Sequence, residues 1–202
     1  MTSIAMRDPR TDHLLTPQNS ALVIIDYQPV QVTSIASIDR RALVENIVSV
    51  AKAAKLFRLP IVLSTVNVKT GKNQPTIPQL TDVLGDTPSF DRTQINAWED
   101  AEFVAAVKAT GRKKLIMTAL WTEACLTFPT LDALREGFEV YPVVDAVGGT
   151  SVEAHRAGLE RVTRQGAQPI SWVQLLCELQ RDWARTETAA AFGKLLFTVE
   201  GH

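Results

Sequence analysis

The sequence predicts an α/β fold in which parallel strands are joined by crossover helices. Short apolar runs rich in β-branched residues alternate with longer segments whose apolar residues recur at helical spacing. Apolar residues make up 46% of the chain and charged residues 21%, as in proteins that bury one large core. Because no shift in composition marks a boundary, we expect a single domain over residues 1–202, with 1–15 as an N-terminal extension and 186–202 as a C-terminal segment.

Five apolar runs have the length and composition of strands. They lie at residues 21–25, 61–65, 114–119, 139–144 and 168–172. The first run is apolar throughout and ends at Asp26, as expected for a central strand covered on both faces. Pro142 removes one backbone donor from the fourth run, which favours a bulge or an edge position. The stretch 67–92 is long and rich in glycine and proline, and this favours a loop over a site, with a short helix near 79–84.

Helices are predicted between these strands by apolar periodicity and by capping residues. They run from Leu43 to before Pro60, from Asn96 to Gly111, from Thr122 to before Gly137, from Thr150 to Gly166 and from Trp172 to Arg185. Asn96 with Glu99, and Thr150 with Glu153, have the spacing of capping boxes. The chain beyond Thr186 is poorly specified by its pattern.

Charge and hydropathy argue against several classes of partner. The formal net charge is −1 and no basic run could follow a phosphate backbone, so we expect no nucleic acid partner. Apolar runs such as 21–25 fall far short of the ~20 residues that cross a bilayer, and the start of the chain lacks a hydrophobic signal core. We therefore expect a cytoplasmic protein that acts on a small-molecule substrate. Glycine-rich nucleotide motifs and the spacings of zinc sites are absent, so we expect no cofactor and no metal.

Three points along the chain are candidates for one cleft. Ligands of open parallel sheets bind at the carboxyl ends of strands, where loops lead into helices. Asp26 closes the first strand, Arg92 ends the long loop, and residues 120–125 lead from the third strand into its helix. Their positions predict that these groups converge.

Cys125 is the candidate nucleophile. The chain has two cysteines, and without an export signal both are expected to be free thiols. In the first turn of a helix, unpaired N–H groups and the helix dipole favour the thiolate and suit an oxyanion. Cys177 lies inside an amphipathic helix and is expected to pack there. An inert buried thiol is the alternative for Cys125 as well.

The proton acceptor for such a thiol is expected to be a carboxylate. None of the three histidines is well placed, because His13 and His202 lie near the ends and His155 lies in a helix of surface character. Asp26 directly follows five apolar residues, where a charge is costly without a partner or a purpose. A turn or capping aspartate remains the alternative.

Two segments resemble motifs of the isochorismatase-like cysteine hydrolases. Residues 23–28, VIIDYQ, resemble the Asp-x-Gln motif of that superfamily, and residues 115–125, LIMTALWTEAC, resemble its strand, turn and nucleophile cysteine. Residues 92–114 and 178–183 are most similar to the YcaC-like branch. The resemblance extends over residues 15–185.

The resemblance implies a three-layer α/β/α, Rossmann-like fold with a six-stranded parallel sheet and a triad of Asp26, a basic residue and Cys125. Most members have lysine as the basic residue, whereas this chain has Arg92, which stays charged and cannot shuttle a proton. The resemblance further implies a cis peptide between Leu120 and Trp121, with the N–H groups of Trp121 and Cys125 as an oxyanion hole.

A function and a pocket also follow from the resemblance. We expect Gln28, Phe90, Asn96 and Trp121 to line the substrate pocket, and we expect a homo-oligomer with the 172–183 stripe as a contact surface. The metal ligands of nicotinamidases in the superfamily have no match. The implied activity is hydrolysis of a small amide-like C–N bond through a thioester. The alternatives are a vinyl-ether hydrolase of isochorismate type, which needs no thiol, and a catalytically silent oligomeric binding protein.

Overall fold

A computed structural model describes residues 7–198. Its sheet has five parallel strands in the order β3-β2-β1-β4-β5. The strands are β1 (Ser20–Ile25), β2 (Ile61–Val66), β3 (Ser89–Arg92), β4 (Lys114–Ala119) and β5 (Glu139–Pro142). The helices are α1 (Pro29–Thr33), α2 (Arg40–Leu56), α3 (Pro78–Leu84), α4 (Ala101–Ala109), α5 (Thr127–Arg135), α6 (Val152–Arg164), α7 (Trp172–Gln180) and α8 (Thr186–Thr198). A 3₁₀ turn, Ala97–Glu99, precedes α4, and a π-helical turn, Thr122–Leu126, precedes α5.

Helices cover both faces of the sheet, which makes the fold a three-layer α/β/α sandwich. All six residues of β1 are buried, and they alternate between two cores. Leu22 and Ile24 belong to the core shared with α2, α3, α7 and α8, whereas Val23 and Ile25 belong to the core shared with α4 and α5. A continuous apolar run is what a strand with two buried faces requires. The predicted α/β class is confirmed.

The number of strands differs from the six that the family resemblance implied. The run 168–172 is reduced to one isolated parallel bridge, between Val143 and Ile170. Its backbone pairs with β5 on either side of Pro142, since Gln168 N–H donates to Val140 O and Val144 N–H donates to Ile170 O. Proline has no N–H to donate between those two bonds, so the ladder is interrupted and β5 remains the edge strand.

β3 is the strand that the sequence pattern did not predict. Its four residues, SFDR, lie within the stretch 67–92 that was expected to be irregular around a short helix. The predicted short helix is present as α3. β3 is an edge strand with only Arg92 buried, so it lacks the apolar run by which the other strands are recognised.

The helix starts and one helix end also differ from the prediction. Asn96 caps the 3₁₀ turn, and Asp100 is the residue that caps α4 by accepting from Phe103 N–H. Ser151, not Thr150, caps α6, because Ser151 Oγ accepts from Ala154 N–H. The capping-box spacings therefore located both helices, but with the wrong capping residue. α7 was expected to reach Arg185 and ends at Gln180.

The C-terminal segment folds against the first core. Phe192 of α8 is buried there, and its ring meets that of Trp183 edge to face at 4.8 Å. The stripe 172–183 was expected to be a contact surface between subunits. Instead its apolar residues Leu175, Leu176 and Leu179 are buried within the chain, and Trp183 is exposed by 62%. The predicted N-terminal extension and C-terminal segment are described only in part, because residues 1–6 and 199–202, including His202, lie outside the described residues. No helix within residues 7–198 has the length and apolar character needed to span a bilayer.

Candidate active site

The three residues of the predicted triad meet at the carboxyl edge of the sheet. Asp26 follows β1, Arg92 is the last residue of β3, and Cys125 lies in the π-helical turn that follows β4. β2 separates β3 from β1, so Arg92 must reach across it to contact Asp26. The Arg92 guanidinium does so, and on the way its Nη1 donates to Ser64 Oγ at 3.0 Å and to Thr65 O at 3.1 Å.

Asp26 and Arg92 form a buried bidentate ion pair. Arg92 Nη1 lies 2.8 Å from Asp26 Oδ1, and Nη2 lies 2.7 Å from Oδ2, with both side chains fully buried. Burial lowers the pKa of Arg92, but the hydrogen bonds and charge of Asp26 outweigh it and raise that pKa above its ordinary value. Asp26 has a φ of 62°, in the left-handed region that aspartate tolerates better than most residues. The turn aspartate and the paired carboxylate are therefore the same residue.

One Arg92 nitrogen is left over. Arg92 Nη2 also donates to Ile95 O at 3.1 Å, whereas the buried Nε has no hydrogen-bond partner among the described residues. The guanidinium is therefore committed mainly to holding Asp26 and the Ile95 backbone in place. A fixed, permanently charged partner of this kind orients a carboxylate but offers it no exchangeable proton.

Cys125 lies beside this ion pair and is almost wholly buried, with 8% exposure. Its Sγ is 3.8 Å from Ile95 O, the carbonyl that Arg92 also contacts. Burial raises the pKa of the Cys125 thiol far above its ordinary value, and the charge and hydrogen bond of Asp26 raise it further, against smaller lowering effects of Arg92 and Trp121. An adjacent carboxylate and a buried setting therefore favour the neutral thiol, whereas the position in the turn favoured the thiolate that the sequence predicted.

The backbone of the predicted oxyanion hole belongs to the turn that holds the sulfur. The Trp121 backbone N–H lowers the pKa of the Cys125 thiol, and Cys125 itself lies inside the π-helical turn. The peptide between Leu120 and Trp121 is cis, as the resemblance implied. The Trp121 indole points elsewhere, since its Nε1 donates to Ser34 Oγ at 2.6 Å next to the end of α1.

Two of the predicted pocket residues have their polar groups engaged by the protein. Gln28 is fully buried; its Nε2 donates to Val66 O at 3.1 Å and Gln74 O at 2.6 Å, and its Oε1 accepts from Val66 N–H. Asn96 accepts from Trp98 N–H and donates to Asp132 at 2.7 Å. These hydrogen bonds position the loops around the site, and the assignment of both amides as pocket-lining groups stays a prediction.

Phe90 packs against the same core as Cys125, and it is the predicted pocket residue whose side chain remains purely apolar and half-buried. Ile95, which was not predicted, has a side chain exposed by 66% while its carbonyl accepts from Arg92 and contacts Cys125. A main-chain carbonyl leaves no mark in the sequence, so no pattern could have identified Ile95. Ser64, at the carboxyl end of β2, is a polar residue whose position was a usable signal.

A second set of polar residues lies behind the π-helical turn and was also missed. Thr122 Oγ1 and His155 Nδ1 are hydrogen bonded at 2.8 Å, and Glu123 Oε1 accepts from both the N–H and the hydroxyl of Thr150. His155 was expected to be a solvated helix residue, and it is instead half-buried against the turn. Burial lowers the pKa of His155, and the charge of Glu123 partly opposes this effect.

The other cysteine provides a contrast. Cys177 in α7 is exposed and free, with its pKa raised only by partial burial. The prediction that it packs inside the helix is corrected, because its side chain faces outward. Among residues 7–198, no group of three or more His, Cys, Asp or Glu side chains is arranged to hold a metal ion.

Comparison with known proteins places this geometry in a family. The model of the isochorismatase domain matches residues 20–174. The probable hydrolase YcaC of Escherichia coli K12 is 38% identical over 170 residues, which are 84% of this chain and 81% of that protein. A structure of YcaC from Pseudomonas aeruginosa with hexane-2,5-diol and covalent acrylamide has a TM-score of 0.86 at 36% identity and covers 92% of this chain and 91% of that one. The Escherichia coli YcaC structure, an octameric hydrolase of unknown specificity, has a TM-score of 0.81 at 32% identity, with 94% and 98% covered.

Proposed function

The chain belongs to the isochorismatase domain family of hydrolases, and on that premise we propose that it hydrolyses a small amide-like C–N bond through a thioester on Cys125. One observation carries the proposal. The buried Cys125 thiol shares the Ile95 carbonyl with Arg92, and Arg92 holds both oxygens of Asp26, whose charge raises the pKa of the thiol. This is the arrangement of a nucleophile beside its base.

In the first step the Asp26 carboxylate accepts the Cys125 proton while Sγ attacks the amide carbonyl carbon. The C=O π electrons move to oxygen, and the resulting oxyanion is stabilised by the N–H groups of Trp121 and Cys125. Because the pKa of the free thiol is raised, proton transfer accompanies attack rather than preceding it. The barrier to ionisation is thus overcome only when a carbonyl is present to receive the sulfur.

In the following steps the same carboxyl group returns its proton. The tetrahedral intermediate re-forms its C=O bond and breaks the C–N bond, and the departing amine takes the proton from Asp26. Water then attacks the thioester and gives a proton to Asp26, and collapse of the second intermediate releases the carboxylic acid and the protonated thiol. Arg92 stays charged throughout and fixes the orientation of Asp26.

Arginine in place of the usual lysine is compatible with this scheme because no step needs a proton from the basic residue. The hydrogen bonds from Arg92 Nη1 to Ser64 Oγ and Thr65 O hold the guanidinium in position against Asp26. The similar Pseudomonas aeruginosa YcaC structure carries covalent acrylamide, an electrophile that alkylates nucleophilic side chains, and this supports a reactive nucleophile rather than any one substrate.

The vinyl-ether alternative is less well supported. It needs a carboxylic acid that protonates the substrate, whereas Asp26 is paired through both oxygens with a buried arginine, which is an arrangement for a carboxylate. It also leaves the buried thiol next to Asp26 without a role.

We also infer that the chain assembles as a homo-oligomer, because the similar Escherichia coli YcaC is octameric. Trp183 and Val173 are the apolar side chains of the 172–183 stripe that remain exposed in the single chain. Sedimentation velocity on the wild type and on Trp183→Ser tests this inference, and a monomer at micromolar concentration would contradict it.

Ammonia release from a panel of small primary amides tests the proposed activity. We expect turnover in the wild type and a loss of about a thousandfold or more in Cys125→Ala, because the covalent route is removed. Cys177→Ala is the matched control. It removes the other thiol, which is exposed on α7, and it should keep full turnover.

Acid quenching during turnover provides a second readout. The peptide that contains Cys125 should carry the mass of the acyl group, and the peptide that contains Cys177 should not. Turnover that survives in Cys125→Ala would refute the thioester mechanism. Silence of the folded wild type across the whole panel would instead favour a binding protein.

A further inference from the structure

The hydrogen bond between Thr122 and His155 lies directly behind the nucleophile turn. From it we infer that His155 is a positioning residue for Cys125, acting through Thr122; this inference deepens the proposed function and rests on it. His155 does not touch the sulfur. Its proposed role is to hold the turn Thr122–Leu126, so that Cys125 and the adjoining Trp121 backbone keep their positions.

The close approach of α6 to the turn makes this contact possible. A Cβ atom on Gly158 would lie 3.1 Å from Thr122 O, 3.1 Å from Thr127 Oγ1 and 3.2 Å from Glu123 Cα. Only glycine at this position lets the helix backbone lie so near the turn. His155 precedes Gly158 by three residues and therefore lies on the same face of α6.

Thr122 is the fixed point of the turn. It is fully buried; its N–H donates to Gly148 O at 2.9 Å, its carbonyl accepts from Thr127 Oγ1 at 2.6 Å, and its hydroxyl is bonded to His155. Thr122 directly follows Trp121 and precedes Cys125 by one turn. A rotation of Thr122 would therefore tilt the Trp121 N–H and Cys125 together.

The surroundings of His155 favour the neutral ring. Burial lowers its pKa and outweighs the opposing charge of Glu123, whose Oε1 is bonded to Thr150 and whose buried Oε2 has no hydrogen-bond partner among residues 7–198. A Cβ on Gly149 would lie 2.6 Å from that Oε2 and 2.9 Å from His155 N, so this corner has no room for adjustment. A neutral imidazole bonds the threonine hydroxyl through Nδ1 in either tautomer.

Substitutions at position 155 can separate this role from packing. Asparagine places its amide where the Nδ1 side of the ring lies, whereas glutamine is closer to histidine in length and volume but extends past that point. We expect His155→Asn to retain the bond to Thr122, and His155→Gln and His155→Ala to lose it. A packing role predicts the opposite order, with glutamine the better replacement.

The readout is the rate of Cys125 alkylation by acrylamide, followed by mass spectrometry at a mildly alkaline pH, with Cys177 in the same molecule as the internal reference. Below the titration of the thiol the rate is proportional to the thiolate fraction, which the Trp121 N–H increases. We expect His155→Ala and His155→Gln to slow Cys125 by about threefold to tenfold relative to Cys177, and His155→Asn to restore the wild-type rate. Thr163→Ala, on the same helix, should have no effect.

If His155→Ala does not fold, a substitution at the other end of the hydrogen bond, Thr122→Val, provides the same test. Thr122→Val removes only the hydroxyl and keeps the shape of the side chain, so it should slow Cys125 as His155→Ala does, and the double variant should be no slower than either. Three results overturn the inference: unchanged rates, equal slowing by all three replacements of His155, or faster alkylation that indicates a loosened turn. Alkylation needs no turnover, so it tests the positioning role even where no amide is hydrolysed.

Discussion

The two edges of the sheet each bury a cation, and they use it differently. At the carboxyl edge, Arg92 and Asp26 form a fully buried bidentate pair beside a thiol. At the amino edge, Lys114 Nζ donates to His13 O at 2.5 Å and to Tyr141 Oη at 3.3 Å, and it lies 3.5 Å from Glu139, whose side chain is 49% exposed.

The contrast indicates how the environment of a buried cation differs between the candidate active site and a purely structural contact. Lys114 ties the segment before β1 to β4 and β5, and its carboxylate partner can still be hydrated. Asp26 is fully buried, so its charge is compensated mainly by the ion pair with Arg92. The buried pair at the carboxyl edge lies beside the Cys125 thiol, whereas the amino-edge network of Lys114, Tyr141 and Glu139 includes no cysteine.

The largest effect that distinguishes the two edges is expected in the free energy of unfolding. Arg92→Met leaves Asp26 buried without a partner and should cost about 3–5 kcal/mol, while Lys114→Met leaves Glu139 to water and should cost about 1 kcal/mol. Urea unfolding of both variants measures the difference. Asp26→Leu combined with Arg92→Met should recover most of the loss, and equal costs at the two edges would break the comparison.

A smaller effect is expected at alkaline pH. Because the folded-state pKa of Cys125 is raised, the thiol stays neutral in the folded chain while it ionises in the unfolded chain above about pH 8.5. Its contribution to stability is complete below that pH and is lost as the pH rises, at up to about 1.4 kcal/mol per pH unit.

Urea unfolding between about pH 8 and 10, below the ordinary titration of tyrosine, isolates this contribution. Cys125→Ala should flatten the decline in unfolding free energy, and Cys177→Ala, which changes an exposed thiol whose pKa is raised only by partial burial, should flatten it much less. A decline that is identical in the wild type and in Cys125→Ala would show that the raised pKa of Cys125 does not contribute.

The smallest effect is expected at the amino edge in acid. The pKa of Asp12 is lowered, mainly by the Leu14 N–H, with Arg181 and Arg7 contributing against the cost of burial. Its contribution is present above the unfolded pKa near 3.9 and is lost as the pH falls through the lower folded value. Asp12→Asn should therefore cost about 0.5–1 kcal/mol at neutral pH and nothing at strongly acid pH. A cost that persists in acid would assign Asp12 a role other than its charge.

The parts of the fold that local patterns describe were predicted well. β1, β2 and β4 are apolar because both of their faces are buried, and α2 ends where Pro60 approaches. β3 could not be predicted, because an edge strand needs only backbone partners and carries no apolar signature. The six strands implied by the family resemblance become five, because Pro142 has no N–H to complete the ladder with residues 168–172, although Ile170 N–H still donates to Pro142 O.

The sequence by itself determined that Asp26 and Cys125 lie at the carboxyl edge, since both follow apolar runs, whereas the strand that ends at Arg92 appeared only in the structure. Only the tertiary structure decided their chemical states and partners. Whether a thiol ionises depends on water and on charges contributed by other segments, and burial beside Asp26 keeps Cys125 neutral where its helix position alone suggested an anion. The same reason explains Gln28, Asn96 and His155, because a polar side chain acquires its role from whichever distant backbone or side-chain group the fold brings within hydrogen-bond distance.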